Sequence, residues 1–362
     1  MSEMKRCNEW QPVFLMVAID FALAIANVLL KKVVDKGMNH LVLITYRTSI
    51  SAVFLAPMAY FWERKTRPKL TSGILCHLFL SAMLGATLTQ YFFLLGIQHT
   101  SVTFSCAFIN MVPVITFIMA LPFGLETVDI RSKSGCAKVL GTIVCVGGAM
   151  ILTLYKGMPL TNLSDSRETG TIHTTNQESW LNPNNKTERW TIGTIALVAG
   201  SLVWSSWFLV QARISKRYPC QYSSTTVMCF FGTIQSALLS LVMNRKISVW
   251  VLKGKMEILT VLYAGIVGSG LCFVGMSWCV KKRGPLFTAA FSPLIQIIVA
   301  MFDFSILHEQ LHLGSVLGSI LVIVGLYILL WGKSKEAKAC VAKQVQEAED
   351  HDEEDQASSV LA

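Results

Sequence analysis

The chain has 362 residues, of which 53% are hydrophobic and only 15% charged, with a mean hydropathy of +0.52 and a formal net charge of +9. Soluble globular chains carry about 25% charged residues, so this composition excludes a soluble enzyme or binding module and assigns the chain to the lipid bilayer. In that setting the positive balance reports topology and membrane-surface attraction, and no nucleic-acid partner is expected.

Ten apolar runs follow one another, at about 13–30, 41–62, 73–95, 102–121, 137–154, 192–212, 222–243, 257–280, 286–307 and 313–331. Each approaches the ~20 residues that cross ~30 Å of hydrocarbon as a helix. Backbone groups in lipid must be satisfied within their own segment, so helices are expected and barrel strands are not. The predicted fold class is all-α integral membrane, with ten transmembrane helices. Lys5 and Arg6 before the first run, and Ala22-Leu23-Ala24 within it, imitate a cleavable signal. Asp20 inside the run and its place in the repeat described below argue for a retained helix.

On the first helix Asp20, Ala24, Asn27 and Lys31 recur at helical spacing and form one stripe. Asp20 lies about 10 Å into the helix at 1.5 Å per residue, near mid-depth, where a carboxyl is costly and faces an interior. It is a proton-coupling candidate, against a purely structural hydrogen bond. Arg47, near the outer end of the second helix, reads as a snorkelling or structurally paired side chain. The third helix offers Thr87 and Gln90, and the fourth aligns Thr103, Cys106, Asn110 and Pro113.

Residues 155–190 are the one long polar segment between runs, carrying the sequons Asn162-Leu163-Ser164 and Asn185-Lys186-Thr187. The sixth helix places Gly200, Trp204, Trp207 and Gln211 on one stripe, the tryptophans well inside the span. The ninth places Ser292, Gln296 and Asp303 on one face beside Pro293. Each intrahelical proline removes a donor and displaces the carbonyl four residues earlier, those of Ile109 and Ala289. Carbonyls freed at mid-depth, with an amide one turn away, suit a wet pocket for a small amphipathic solute. The expected substrate-binding set is Asn27, Gln90, Asn110, Pro113, Trp204, Trp207, Ser292, Pro293 and Gln296, with no cofactor and no metal.

His308-Glu309-Gln310-Leu311-His312 spells the zinc-protease pattern. It falls in the short turn between the last two runs and has no persuasive third ligand, Asp303 included, so a membrane metalloprotease is the weaker reading. Past Trp331 the chain becomes polar and then acidic through Glu347–Asp355, a tail expected to lack fixed structure. The ten cysteines include no Cys-x-x-Cys pair, and Cys7 and Cys340 are candidates for S-palmitoylation.

The same five-helix unit occurs twice. Gly141, Ile143, Gly148 and Ile151-Leu152 align with Gly318, Ile320, Gly325 and Ile328-Leu329, while Pro113 and Lys36 precede Pro293 and Lys216 by 180 residues. An odd number of spans per copy inverts the second copy, the pattern of a secondary transporter with a midplane site. A multi-span receptor or scaffold has no need of such a duplication. Predicted boundaries are 1–12 (cytosolic N-terminus), 13–154 (first repeat), 155–190 (extracytosolic linker), 191–331 (second repeat) and 332–362 (cytosolic tail). With the N-terminus inside, 19 lysines and arginines flank spans on the inner side and 11 on the outer, which favours cytosolic termini.

The stretches Thr45-Tyr46-Arg47, Thr89-Gln90-Tyr91-Phe92, Asn110-x-x-Pro113, Leu152-Thr153-Leu154-Tyr155-Lys156-Gly157, Leu262-Tyr263-Ala264-Gly265-Ile266-Val267, Gly284-Pro285 and Gly325-Leu326-Tyr327 resemble, in order, the plant drug/metabolite transporters with paired EamA domains, called nodulin-like or walls-are-thin-related. The resemblance implies ten spans, cytosolic termini and facilitative or proton-linked movement of amino acids, auxin or related metabolites. It implies the plasma membrane first and the vacuolar membrane second. Carriers of phosphorylated sugars in the same superfamily use intramembrane Lys or Arg, which spans four and nine lack here. The partners expected are the bilayer and a small solute, with the oligomeric state left open.

Overall fold

The computed structural model describes residues 2–34, 38–100, 105, 108–126, 132–155, 183–243, 250–252, 254–307, 313–314 and 316–336; most of these are helical and there is no strand among them. In chain order the helices are α1 (Ser2–Val34), α2 (His40–Glu63), α3 (Ser72–His99), α4 (Phe108–Ala120), α5 (Lys133–Leu154), α6 (Pro183–Arg217), α7 (Gln221–Met243), α8 (Lys255–Arg283), α9 (Pro285–Leu307) and α10 (Val316–Glu336). The starts of α2 and α5 are capped by polar side chains. Asn39 Oδ1 accepts the Leu41 N–H at 2.9 Å before α2, and Ser132 Oγ accepts the Gly135 N–H at 3.0 Å before α5.

Eight helices contain stretches long and apolar enough to cross a bilayer, while α4 and α9 carry the shorter apolar stretches Phe108–Ala120 and Pro285–Val299. The run expected at 102–121 includes 102–104 and 106–107, outside the described residues, and α9 is interrupted at Phe291. The helix expected from 192 starts at Pro183, inside the segment read from sequence as linker. Proline suits a first helical position, since its missing N–H has no intrahelical partner there anyway. Exposed Phe14, Val53, Phe61, Ile195 and Val242 leave the outer faces apolar, as lipid contact requires.

Small and hydroxyl residues bring the helices together. Along α2 and α7, Thr45 Oγ1 donates to Ser236 Oγ at 3.1 Å, Thr233 Oγ1 donates to Thr48 Oγ1 at 3.1 Å, and Ser51 Oγ meets Cys229 Sγ at 3.2 Å. Numbers rise on one helix as they fall on the other, so the two run antiparallel. The same holds for α5 and α10, where glycines let backbones touch. A Cβ on Gly148 would sit 2.9 Å from Gly318 O, one on Gly141 2.8 Å from Gly325 O, and one on Gly325 2.3 Å from Cys145 N.

Other neighbours come in matched sets. The second half of α3 lies along α6 and α1 lies along α8, α4 packs on α6 and α1 on α9, and α3 packs on α7 and α2 on α8. Both α3 and α8 widen into a π-helical stretch mid-way, Met83–Leu88 and Ala264–Leu271. At one end of the bundle α4, α5, α10 and the α8–α9 turn share a buried charge network. Lys333 Nζ is paired with Glu126 Oε1 and donates to Arg283 O at 3.1 Å; Lys138 Nζ bonds both Glu336 oxygens at 2.8 Å and lies 3.9 Å from Glu126 Oε2. Gly284 makes the turn at φ 88°, a conformation glycine adopts freely, and a Cβ there would come 3.1 Å from Glu126 Oε1.

Candidate functional site

Pro113 and Pro293 interrupt their helices in the same way. Regular helix restarts at Val112 and at Ser292, with the proline second, and the hinge residues Met111 (φ −80°, ψ −12°) and Phe291 (φ −79°, ψ −15°) share one conformation. Around each break the main chain falls back to three-residue bonds, Met111 N to Phe108 O at 3.1 Å and Phe291 N to Thr288 O at 3.4 Å. Neighbouring helices reach carbonyls on either side of the breaks. Ser201 and Ser205 on α6 donate to Phe108 O (3.1 Å) and Val112 O (3.4 Å), and the Cys145 thiol on α5 points at Ala290 O at 3.9 Å.

Beside the breaks the two amides singled out from sequence are joined. Asn110 Nδ2 donates to Gln296 Oε1 at 2.9 Å, to Thr153 Oγ1 at 3.0 Å and, at 3.3 Å, to Ala149 O. Thr153 Oγ1 in turn donates to Ala149 O at 2.7 Å and lies 3.4 Å from Gln296 Oε1. Asn110 is fully buried, yet its Oδ1 has no protein donor. An unmatched buried acceptor costs about 1–3 kcal/mol. That oxygen is left able to accept a further donor.

The tryptophan pair on α6 forms an aromatic wall. Trp204 stacks on Trp207 with centroids 5.0 Å apart and 15° between planes, and Phe273 meets Trp207 edge-on at 5.4 Å. Trp207 is wholly buried with its Nε1 unpartnered, and its indole fills the space that Gly85 leaves in the widened part of α3, where a Cβ would fall 2.5 Å from Cδ1. Its neighbour on the stripe, Gln211, is in a structural relay instead: Ser81 Oγ donates to its Oε1 at 3.3 Å and its Nε2 donates to Ser277 Oγ at 2.6 Å.

The remaining expected residues are spread around this centre. Gln90 on α3 and Ser292 on α9 are half-buried, and Asn27 is exposed on α1. Asp20 is 1% exposed with Oδ2 unpartnered, and Arg47 is half-buried with a buried Nε that has no acceptor. Thr153 was not singled out from sequence, where a threonine near a helix end carries no signal. Thr103, Cys106, Asn162, His308, Glu309 and His312 lie outside the described residues, as do the side chains of Lys31, Asn185 and Asp303. Among the described residues no three His, Cys, Asp or Glu side chains are grouped as metal ligands would be.

The profile of the EamA-like transporter family matches residues 10–154 and again 191–331. Two WAT1-related proteins of Arabidopsis thaliana are each 54% identical, over 338 residues (92% of this chain, 90% of the relative) and 331 residues (91% and 89%). A third from the same plant is 42% identical over 361 residues, 99% of this chain and 98% of its own. One solved crystal structure superposes with a TM-score of 0.62 over 89% of this chain and 97% of its own at 15% identity, a likeness of fold.

Proposed function

We infer, since the chain belongs to the EamA-like transporter family, that it is a secondary carrier of small amphipathic organic solutes working by alternating access. The unit that alternates is a pair of inverted five-helix repeats, 13–154 and 191–331, giving ten membrane-crossing helices with both termini in the cytosol. Several features support this arrangement. Equivalent helices α2/α7 and α5/α10 run antiparallel, neighbour relations recur when copy one is exchanged for copy two, and the π-helical stretches and proline hinges fall at matching places.

The observation that carries the functional reading is the Asn110–Gln296 hydrogen bond between the two broken helices. A site between inverted repeats is where alternating access needs it. A solute competing for these amides, for Thr153 and for the carbonyls beside the breaks would sit against the Trp204–Trp207 wall, with Gln90 and Ser292 as further polar groups. Asp20, buried on α1, is the proton-coupling group. Amino acids, auxin and related metabolites have the mixed polarity that such amides and indoles suit, and the plasma membrane is the proposed site of action.

The test is a panel of amino acids and auxin offered to cells expressing the chain, with uptake and efflux measured by labelled solute. Saturable flux of at least one of them, above the level of cells lacking the chain, is expected. Loss of flux in variants of Asn110 or Gln296 that still reach the membrane ties it to this site. Absence of any flux across the panel, with the protein present at the surface, overturns the reading.

A further inference from the structure

Acids and bases are unevenly matched at one end of the bundle. Contacts bring the ends of α2, α4, α6, α8 and α10 together there. Glu63 at the end of α2 accepts the Tyr222 and Ser223 N–H groups of α7 at 3.0 and 2.7 Å, and Lys281 Nζ of α8 donates to Pro219 O, in the turn before α7, at 3.2 Å. Arg213 of α6 lies over the Phe123 ring beyond α4 at 4.5 Å, and Lys333 of α10 joins Glu126 and the Arg283 carbonyl. The three acids whose side chains are described at this end are engaged: Glu63 by the α7 backbone, Glu126 and Glu336 by Lys333 and Lys138. Arg213, Lys216, Arg217, Lys281, Lys282 and Lys335 are exposed, and no ion pair among the described residues uses them. Three of these lie over rings, Arg213 over Phe123, Lys282 over Trp278 at 5.6 Å and Lys335 over Trp331 at 4.7 Å. That contact positions a cation without neutralising it.

The chain leaves the bundle from this same face. α10 ends at Glu336, next to Lys335, and residues 337–362 lie outside the described ones. Their sequence carries seven acids between Glu347 and Asp355, against Lys338 and Lys343 before them. A block of like charges that dense is commonly an interaction tail. From Glu336 to Glu347 the chain spans at most about 40 Å when fully extended, enough to cross a bundle whose helices pack about 8–10 Å apart. A short tether holds the acids near the face at an effective concentration on the order of millimolar. Because the tail starts from the basic face, both are on one side of the membrane whichever way the chain is oriented.

We propose that the acidic block at 347–355 docks on this basic face of its own chain, across the ends of α6, α8 and α10. The planar forks of Arg213 and Arg217 suit carboxylates two hydrogen bonds at a time, and the lysines around them act as point charges. Single exposed ion pairs are weak and screened by salt, so the contact depends on several of them together and on the tether. The docked block neutralises the face and keeps anionic lipid headgroups off it.

The full chain in phosphatidylcholine nanodiscs tests this. Carbodiimide joins carboxylates to amines already in contact, and it should link acids of 347–355 to Lys216, Lys281, Lys282 or Lys335. With isotope-labelled and unlabelled protein mixed, the links should stay within one chain. Their yield should fall several-fold between about 0.1 and 1 M salt, as the screening length drops from about 10 to 3 Å. A synthetic peptide of residues 345–357 should bind a full chain whose block acids are changed to amides, each Glu→Gln and each Asp→Asn, at least about tenfold more tightly than it binds the wild type, whose own tail holds the face. Adding Lys216→Gln, Lys282→Gln and Lys335→Gln to the amide variant should weaken the peptide again; these side chains are exposed, so the fold is expected to tolerate the changes. Links confined to Lys338 and Lys343, links mainly between chains, equal or absent peptide binding by the two chains, or binding undiminished by the lysine changes overturns the proposal. So does loss of the links once phosphatidylserine makes up about a third of the lipid, which makes the membrane surface the occupant.

Discussion

Asn110 and Gln296 join the two family-matched halves of the chain through one 2.9 Å hydrogen bond, each amide within one turn of a proline hinge. The hinge residues Met111 and Phe291 stand 180 residues apart and differ by no more than 3° in either dihedral angle. The bond therefore spans the seam along which two copies of one unit meet.

Removing either amide should weaken transport more than it weakens the fold. Loss of a solute hydrogen bond costs about 0.5–1.5 kcal/mol and an unsatisfied buried partner about 1–3. Asn110→Ala or Gln296→Ala is accordingly expected to raise apparent KM on the order of tenfold. Because Asn110 Nδ2 also holds Ala149 O and Thr153 Oγ1, Thr153→Val serves as the comparison that disturbs the same bonds without removing an amide. Unaltered KM in both amide variants, with normal surface levels, puts the solute elsewhere.

The hinges were legible because proline inside an apolar run has one local consequence whatever surrounds it, and because the two copies agreed. Asn110 and Gln296 followed from helical spacing alone. Thr153 did not, since its part depends on α5 crossing α4 at that height. The widened stretches of α3 and α8 were equally hidden: Met83–Leu88 and Ala264–Leu271 contain nothing that distinguishes a five-residue hydrogen-bond step from a four-residue one. The setting of Arg47 was less legible, because distance along the helix does not tell which way a long side chain turns; it is half-buried, with a buried Nε that has no acceptor.

Adjacent glycines in α5 should respond very differently to the same methyl group. A Cβ on Gly148 would meet Val322 N at 2.7 Å, whereas one on Gly147 meets nothing within 4 Å. Gly148→Ala forces the α5 and α10 backbones apart and is expected to cost about 1–3 kcal/mol, as overpacking does. Gly147→Ala should fall within about 0.5 kcal/mol of the parent. Thermal unfolding in one detergent compares them, and equal midpoints for the two variants contradict the close α5–α10 contact.

Topology is open to a direct check. The proposed orientation, drawn from the 19 to 11 division of basic residues, has segment 155–190 outside and predicts that Asn162 and Asn185 are accessible to the glycosylation machinery. Endoglycosidase should shift the mobility of protein made in the secretory pathway, and Asn162→Gln combined with Asn185→Gln should abolish the shift. Protection of that segment from protease added outside intact cells, with cleavage after permeabilisation, reverses the orientation.

The charge network at the other end of the bundle predicts a non-additive pair. Glu126 has a side chain 4% exposed and faces two lysines, Lys333 at 10% and Lys138 at 1%. Lys138 keeps Glu336 when Glu126 is lost, but Lys333 keeps only the Arg283 carbonyl. Removing one member of a buried pair typically costs about 3–5 kcal/mol, because the other charge remains without compensation, whereas removing both can be nearly neutral. Glu126→Gln and Lys333→Met should thus each lower the thermal midpoint strongly, and the double variant should recover most of the loss. The pair also ties the end of α4 to the end of α10 across the two repeats, so an opening at this end of the bundle must break it. A double variant that regains stability but moves solute with altered KM and maximal rate is the expected signature of that second role. Additive destabilisation in the double variant means the two side chains act independently, and the pairing then contributes nothing to either stability or opening.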